Sequence, residues 1–344
     1  MDIFSSTVDA RRPSQTIDRI GALESYLKEK KLSGPVPLNN GNCDFLWRDG
    51  ELLAWSNATV HVRSVAHAAV TGVFEGIRAY RDVTSDQVYV YRLPEHMARL
   101  IDSCKLTRLA LGPTQRELET AVVGVLRANE IHIDAYLRVS VFSAGLSTDL
   151  LVDEHHPTHV VIECWPSPKR GSDRTVRVCT SSWRRVGNED MVPRAKTFAN
   201  YQQARLALID ASNSGFDAPL FLNSQGFASE GVGAAFAIVK NNKVILPSMS
   251  TGILPSITRK SVMSLAIEHL GIPCEEREFD RYECALADEA MFLGTGWEIL
   301  PIDEIDRIPL SDRNRPITRL LSGEYERSTR RGLQMFAEWC WPVW

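Results

Sequence analysis

The chain has 344 residues, 44% hydrophobic and 24% charged, with a formal net charge of -4. That length can bury a core without metal or disulfide staples and fits about two ordinary domains. The near-neutral balance argues against a nucleic-acid partner, and no stretch approaches the roughly 18 apolar residues of a membrane span. Residues 1–43 read as an N-terminal extension. It lacks the apolar run of a secretory leader, so a cytoplasmic location is the expectation. Residues 22–31 suit a short helix, and residues 33–42 form a Gly-, Pro- and Asn-rich connector. Residues 45–55 read as a hairpin around Asp49-Gly50. A strand follows over 88–93, then a helix over 96–109 opened by Pro94, then an amphipathic helix over 115–129. Strands over 135–143 and 159–165 complete a small α/β domain, residues 44–165.

Residues 166–174 (PSPKRGSDR) are polar and read as an interdomain linker. The larger domain, 175–344, contains predicted strands over 176–182, 218–222, 227–229, 234–240, 243–246 and 289–293. Its predicted helices cover 201–212 and 258–270. This irregular alternation with several hairpins indicates an α+β fold. The seven cysteines are scattered, with no CxxC pair or Cys/His cluster, so buried thiols are expected rather than a metal site or disulfide framework.

Lys196 stands between a predicted strand and a predicted helix, where a lysine is ordinarily a solvated surface group. Its company makes it a candidate. Ser229-Glu230-Gly231 lies on a Gly-flanked turn between apolar strands. Leu254-Pro255-Ser256-Ile257-Thr258 opens a helix, and bare helix N–H groups attract anions such as phosphate.

Seven blocks occur in the order VFEGIR, EHMARL, AYLR, AKTFANY, SEGVG, LPSITRKSV and GTGWEI. In this order they resemble the branched-chain aminotransferases and their fold-type IV relatives, over about residues 44–325. The resemblance implies two α/β domains with the active site at their interface, and pyridoxal 5'-phosphate as cofactor. It implies that Lys196 is the Schiff-base lysine and proton carrier, and that Glu230 faces the pyridine nitrogen. Tyr201 would contact the cofactor's phenolic oxygen. Arg99, Ile257, Thr258 and Thr295 would hold the phosphate. Phe74, Tyr136, Arg138, Gly296 and Trp297 match substrate-side positions. Tyr136 and Arg138 alternate on one predicted strand and so share a face. A homodimer is also implied, with the segments around Ala69 and over 145–151 reaching across the two-fold axis. No metal is called for.

The activity so implied moves an amino group between a hydrophobic or branched-chain L-amino acid and a 2-oxo acid such as 2-oxoglutarate. Rivals on the same fold are a D-amino acid or (R)-amine transaminase and an aminodeoxychorismate-type lyase. Intact Lys196, Glu230, Tyr201 and Arg99 argue against a non-catalytic scaffold. The departures from the family pattern cluster near the substrate. An amide usual after the glutamate block is missing from Gly233-Ala234-Ala235-Phe236. No aromatic stands near Ala69, the Trp165-Pro166-Ser167 stretch is shortened, and Trp297 follows Gly296 where small residues are usual.

Overall fold

The computed structural model describes residues 43–146, 153–168 and 174–344. The short helix expected over 22–31 and the connector at 33–42 lie outside them, as does most of 166–174. Residues Asn42–Trp344 form one contact unit. In chain order the strands are β1 (Phe45–Arg48), β2 (Glu51–Ala54), β3 (Gly72–Asp82), β4 (Gln87–Tyr91), β5 (Ala135–Ser143) and β6 (Thr158–Pro166). There follow β7 (Val176–Arg184), β8 (Ala218–Leu222), β9 (Ala228–Gly231), β10 (Ala235–Lys240) and β11 (Lys243–Pro247). The last are β12 (Cys274–Arg277), β13 (Glu289–Gly294), β14 (Glu298–Ile305), β15 (Ile308–Pro309) and β16 (Cys340–Pro342).

The first sheet is antiparallel throughout, in the order β16-β4-β3-β5-β6-β1-β2. Its two faces differ because side chains alternate along a strand. One face presents Val73, Ile77, Leu137, Val139, Val141, Ile162 and Cys164. These pack against Leu93, Met97 and Leu100 of the helix Leu93–Thr107 and Leu118, Val122 and Leu126 of the helix Gln115–Ala128. The second helix starts in a reciprocal cap between Thr114 and Glu117, which satisfies two end N–H groups.

The opposite face is mixed. Along β3 it carries Phe74, Gly76 and Arg78, directly opposite Ser140, Arg138 and Tyr136 of β5. Arg138 and Tyr136 in turn stand opposite Glu163 and Trp165 of β6. Further along the same face, Tyr80, Tyr89 and Tyr91 join a second apolar cluster with Ala235, Ala237, Met291 and Leu293 from the other sheet.

That second sheet closes on itself. β10, β13, β14, β7, β8 and β9 are paired in sequence, and β9 pairs back to β10 where Glu230 meets Ala235. β11 and β12 extend it beyond β10, and β15 pairs with β14. Inside the ring lie Val178, Leu220, Phe236, Ile238, Phe292 and Ile302. The alternate residues of β10 and β13 face outward, against Val262, Leu265, Leu321 and Tyr325 of the covering helices.

The helix expected over 258–270 is Ile257–Ser264, followed by a widened turn at Leu265–His269, where Leu270 N–H donates to Leu265 O five residues back. Strands β3, β12, β14, β15 and β16 and the helices Arg281–Ala285 and Pro316–Thr329 add to the elements read from sequence. Five cysteines are buried, and Cys43 and Cys164 touch, Sγ to Sγ 3.2 Å.

Candidate active site

Lys196 is buried, and its backbone is strapped on both sides. Phe74 N–H donates to Lys196 O at 2.9 Å, and Lys196 N–H donates to Ser103 Oγ at 3.1 Å. β3 and the helix Leu93–Thr107 therefore fix where its side chain starts. Its Nζ donates to Tyr201 Oη at 2.7 Å and lies 4.9 Å from the Phe74 ring centre. Burial disfavours the ammonium, but the Tyr201 oxygen and Glu75 outweigh it, so the amine is held above its ordinary range.

Glu230 is the penultimate residue of β9, at the point where the ring closes. Arg185 lies 2.7 Å from its Oε1, and Leu254 N–H donates to its Oε2 at 3.1 Å. Burial pushes this carboxyl up, against the Arg185 charge and the Leu254 N–H. Arg99 forks onto Glu75, Nε to Oε1 at 2.7 Å and Nη2 to Oε2 at 2.8 Å, while Nη1 donates to Pro255 O at 2.8 Å. His96 Nδ1 meets Glu75 Oε2 at 2.7 Å. Burial alone would raise the Glu75 carboxyl, but the Arg99 charge, the Arg99 hydrogen bond and the His96 bond hold it down at about 2.

Ser256 caps the helix that begins at Ile257, accepting from Arg259 N–H at 3.2 Å. These parts surround a pocket lined by Arg99, Arg185, Lys196, Tyr201, Glu230, Ile257 and Thr295, among others. The turn carrying Thr295 comes very close to the loop after β9. A Cβ on Gly294 would stand 3.0 Å from Ala234 Cβ and 3.1 Å from Gly233 O, so glycine permits the approach.

Of the residues singled out from sequence, Arg99, Lys196, Tyr201, Glu230, Ile257 and Thr295 line this cavity. Thr258 is buried beside it in the first turn of its helix. Phe74 stacks on Phe198 at 4.7 Å and meets Tyr201 edge-on at 5.0 Å. Tyr136 stacks on Trp165 at 5.0 Å, and the Arg138 guanidinium lies 6.0 Å from the Phe74 ring centre. Phe74 thus neighbours both the Lys196 amine and Arg138. Gly296 lies under Tyr136: a Cβ there would stand 3.9 Å from the ring. Trp297 turns away from the cavity, its ring edge-on to Phe292 at 5.4 Å against the core inside the closed ring.

Sequence reasoning did not pick out Arg185, Glu75 or Arg78. Arg78 is buried on the mixed sheet face, with Nη1 3.4 Å from Glu298 Oε1 and Nη2 donating to Ser167 O. The available signal for Glu75 and Arg78 was a charge at regular spacing inside the otherwise apolar VFEGIRAY run.

The family model for class IV amino-transferases matches residues 72–305. The chain belongs to the class IV aminotransferases. This aminotransferase is 30% identical over 308 residues to a probable branched-chain-amino-acid aminotransferase of Aquifex aeolicus, covering 89% of this chain and 99% of the relative. It is 32% identical over 299 residues to the branched-chain-amino-acid aminotransferase of Pseudomonas aeruginosa, covering 86% and 95%. The branched-chain amino acid aminotransferase of Thermobaculum terrenum, solved in its PLP holo-form, superposes with a TM-score of 0.84 at 36% identity, covering 88% and 99%. That of Thermoproteus uzoniensis, solved with norvaline, gives 0.83 at 36% identity, covering 87% and 99%. The α+β, fold-type IV architecture expected from sequence is therefore the fold of this aminotransferase.

Proposed function

We propose that this aminotransferase holds pyridoxal 5'-phosphate in the Lys196 cavity. There it moves an amino group between an L-amino acid with an uncharged, branched-chain-type side chain and a 2-oxo acid such as 2-oxoglutarate. The observation that carries this reading is the buried Lys196 amine, 2.7 Å from the Tyr201 hydroxyl, in one cavity with the buried Glu230 carboxylate and the helix start at Ile257.

The cavity's chemistry fits such a group. Arg99, Arg185 and Lys196 outnumber Glu75 and Glu230, an excess that suits a phosphate. Arg99 has five N–H donors and uses three on Glu75 and Pro255, which leaves two. The buried Oδ1 of Asn200, which also lines the cavity, has no hydrogen-bond partner. When bound, the cofactor supplies a carbonyl for an amine to capture and a ring that accepts electron density from the substrate Cα.

The chain's own groups do the rest. Lys196 Nζ is the attachment point and takes up and returns the proton of the substrate Cα. Tyr201 Oη orients that amine. Glu230, raised by burial, gains from a cationic N–H against it and so favours a protonated ring nitrogen. The two remaining Arg99 N–H donors, the Ile257 N–H and the Thr258 and Thr295 hydroxyls receive the phosphate. Phe74, Tyr136, Arg138 and Gly296 form the substrate wall, with Arg138 meeting a carboxylate, and Trp297 supports the wall from behind. The reading includes a small domain over 44–165 and a larger one over 175–344 with the site between them, a homodimer, and a cytoplasmic setting.

The test is a half-reaction screen. Purified holoenzyme is mixed with single L-amino acids, D-amino acids or (R)-1-phenylethylamine, and the visible absorbance of the bound cofactor is followed. The fastest loss is expected with L-leucine, L-isoleucine or L-valine. A response confined to D-amino acids or to the amine would transfer the enzyme to those activities. Pyruvate released from one substrate without an acceptor would mark a lyase.

A further inference from the structure

Two sulfurs meet inside the first sheet with no part in the proposed chemistry. Cys43, just ahead of β1, and Cys164 of β6 are buried in one apolar cluster, 121 positions apart in the chain. Their Sγ atoms lie 3.2 Å apart, and the Cys43 thiol also donates to Cys164 O. A closure of about 1.2 Å would bring the sulfurs to the roughly 2.0 Å of a disulfide bond.

Other groups hold this contact in place. β1 pairs with β6 at Trp47–Ile162 and Arg48–Val161. Asn129, at the end of the helix Gln115–Ala128, fixes the chain between Cys43 and that pairing. Its Oδ1 accepts from Asp44 N–H and Phe45 N–H, both at 2.9 Å, and its Nδ2 donates to Phe45 O at 2.9 Å. The same Nδ2 lies 3.7 Å from Cys164 Sγ. One amide thus pins the backbone beside Cys43 and touches the sulfur of Cys164.

The pair also differs in chemistry from other buried cysteines. Burial pushes Cys104 up to about 12 and Cys340 up to about 11, which keeps both as unreactive thiols near neutral pH. The hydrogen bond with Cys164 lowers Cys43 against the effect of burial, while the same bond and burial raise Cys164. Cys43 is also the more exposed of the two, 7% against 0%. It is therefore the sulfur that attacks first.

We propose that Cys43 and Cys164 are a thiol-oxidation site: a small disulfide such as oxidised glutathione converts them to a protein disulfide that fastens the start of β1 to the strand carrying Trp165. The Cys43 thiolate attacks one sulfur of the small disulfide, whose S–S bond breaks, and one small thiol leaves. The Cys164 thiolate then attacks Cys43 Sγ, and the second small thiol leaves. Two protein thiols are oxidised, one small disulfide is reduced, and the two protein protons end on the released thiols. In a strongly reducing setting the pair stays as two thiols. Cys164 faces the helices, whereas Trp165 stacks on Tyr136 across the strand. The bond is thus a redox-dependent staple behind the substrate wall rather than a gate on the site. It closes a loop of about 120 residues and so restricts mainly the unfolded chain.

Holoenzyme kept in dithiothreitol is desalted and incubated with oxidised glutathione, then unfolded, alkylated and mapped as peptides without reduction. Two of the seven thiols should escape alkylation, in a cross-linked Cys43–Cys164 peptide. Before unfolding, the Tm should be higher by about 5 °C, and dithiothreitol should reverse both changes. Cys164→Ala should stop at one glutathione on Cys43. Cys43→Ala should take none at Cys164 and show no rise in Tm. Seven alkylated thiols after an overnight incubation would overturn the proposal. So would a cross-link mainly between other cysteines, glutathione left on Cys43 in wild type, or a Cys43–Cys164 bond with no rise in Tm. The wild-type map decides these outcomes if either variant fails to fold.

Discussion

Lys196 and Glu230 are both buried, yet their proposed tasks separate cleanly by substitution. Lys196→Ala removes the attachment point but leaves the backbone bonds to Phe74 and Ser103 intact. The variant is expected to fold, to lose turnover and to lack the wild-type visible absorbance after incubation with pyridoxal phosphate. Borohydride fixation followed by peptide mapping checks this, and label on any other lysine would refute the assignment. Glu230→Gln should keep the cofactor, because the proposed phosphate contacts are elsewhere, and lose about 100- to 1000-fold in turnover, since an amide cannot balance a charged ring nitrogen as a carboxylate does. Single-turnover rates near wild type would contradict it. Lys196, Tyr201, Arg99 and Glu230 were legible in the sequence because each sits in a block that resembles a known family. Arg185 was not, because its role depends on Glu230 folding back to within 2.7 Å of it across 45 residues of chain.

At the scale of elements, β3 shows why pattern reading falls short. Its sequence, GVFEGIRAYRD, contains two glycines and four charges, which masks an eleven-residue strand. The glycines answer to packing. A Cβ on Gly72 would meet the Phe198 ring at 2.9 Å, and one on Gly76 would overlap the Tyr136 hydroxyl at 1.8 Å. Arg81 and Asp82 find partners in the turn that follows, Asp86 and Ser85, but Arg78 and above all Glu75 answer to distant elements: Glu75 joins β3 to the helix Leu93–Thr107 through Arg99 and His96. Its folded pKa, about 2, lies below the ordinary 4.5. A depressed acid stabilises the fold fully above its unfolded pKa, and the contribution is lost as pH falls through the folded value. Between pH 5 and 2 wild type should therefore lose roughly 3 kcal/mol from this group. Glu75→Gln should be destabilised by about 3–5 kcal/mol at pH 7, because it leaves Arg99 buried without its counter-ion, and should show a flatter pH dependence. Urea unfolding of both proteins at pH 7, 5 and 3 tests this, and parallel pH curves would contradict it.

The architecture of the whole molecule was legible as a class from the block order and the irregular mix of hairpins and helices. The closure of the second sheet at Glu230 and Ala235 was not, nor was the return of Cys340–Pro342 to pair with β4. Both are pairings between segments whose local sequence carries no sign of the partner. The surface gives the last prediction. Ser64 bridges Leu146, Val65 N–H donates to Gly145 O, and Ser143 N–H donates to Thr71 O, so the stretches around 64–71 and 143–146 lie side by side. From this region Val62, Val70 and Leu146 are 72%, 50% and 59% exposed. Val70 also holds a left-handed φ of 53°, a strained conformation for a β-branched residue, which points to function rather than local preference. An apolar, strained rim beside the Lys196 segment is what a two-fold neighbour would cover. In a two-fold interface each substitution is felt twice. Val62→Asp or Leu146→Asp replaces apolar burial with a carboxylate, so the dimer Kd should rise by at least about 100-fold. Sedimentation velocity at assay concentration should show wild type as a dimer and the variants as folded monomers with reduced turnover. A wild-type monomer with full activity would end the dimer reading.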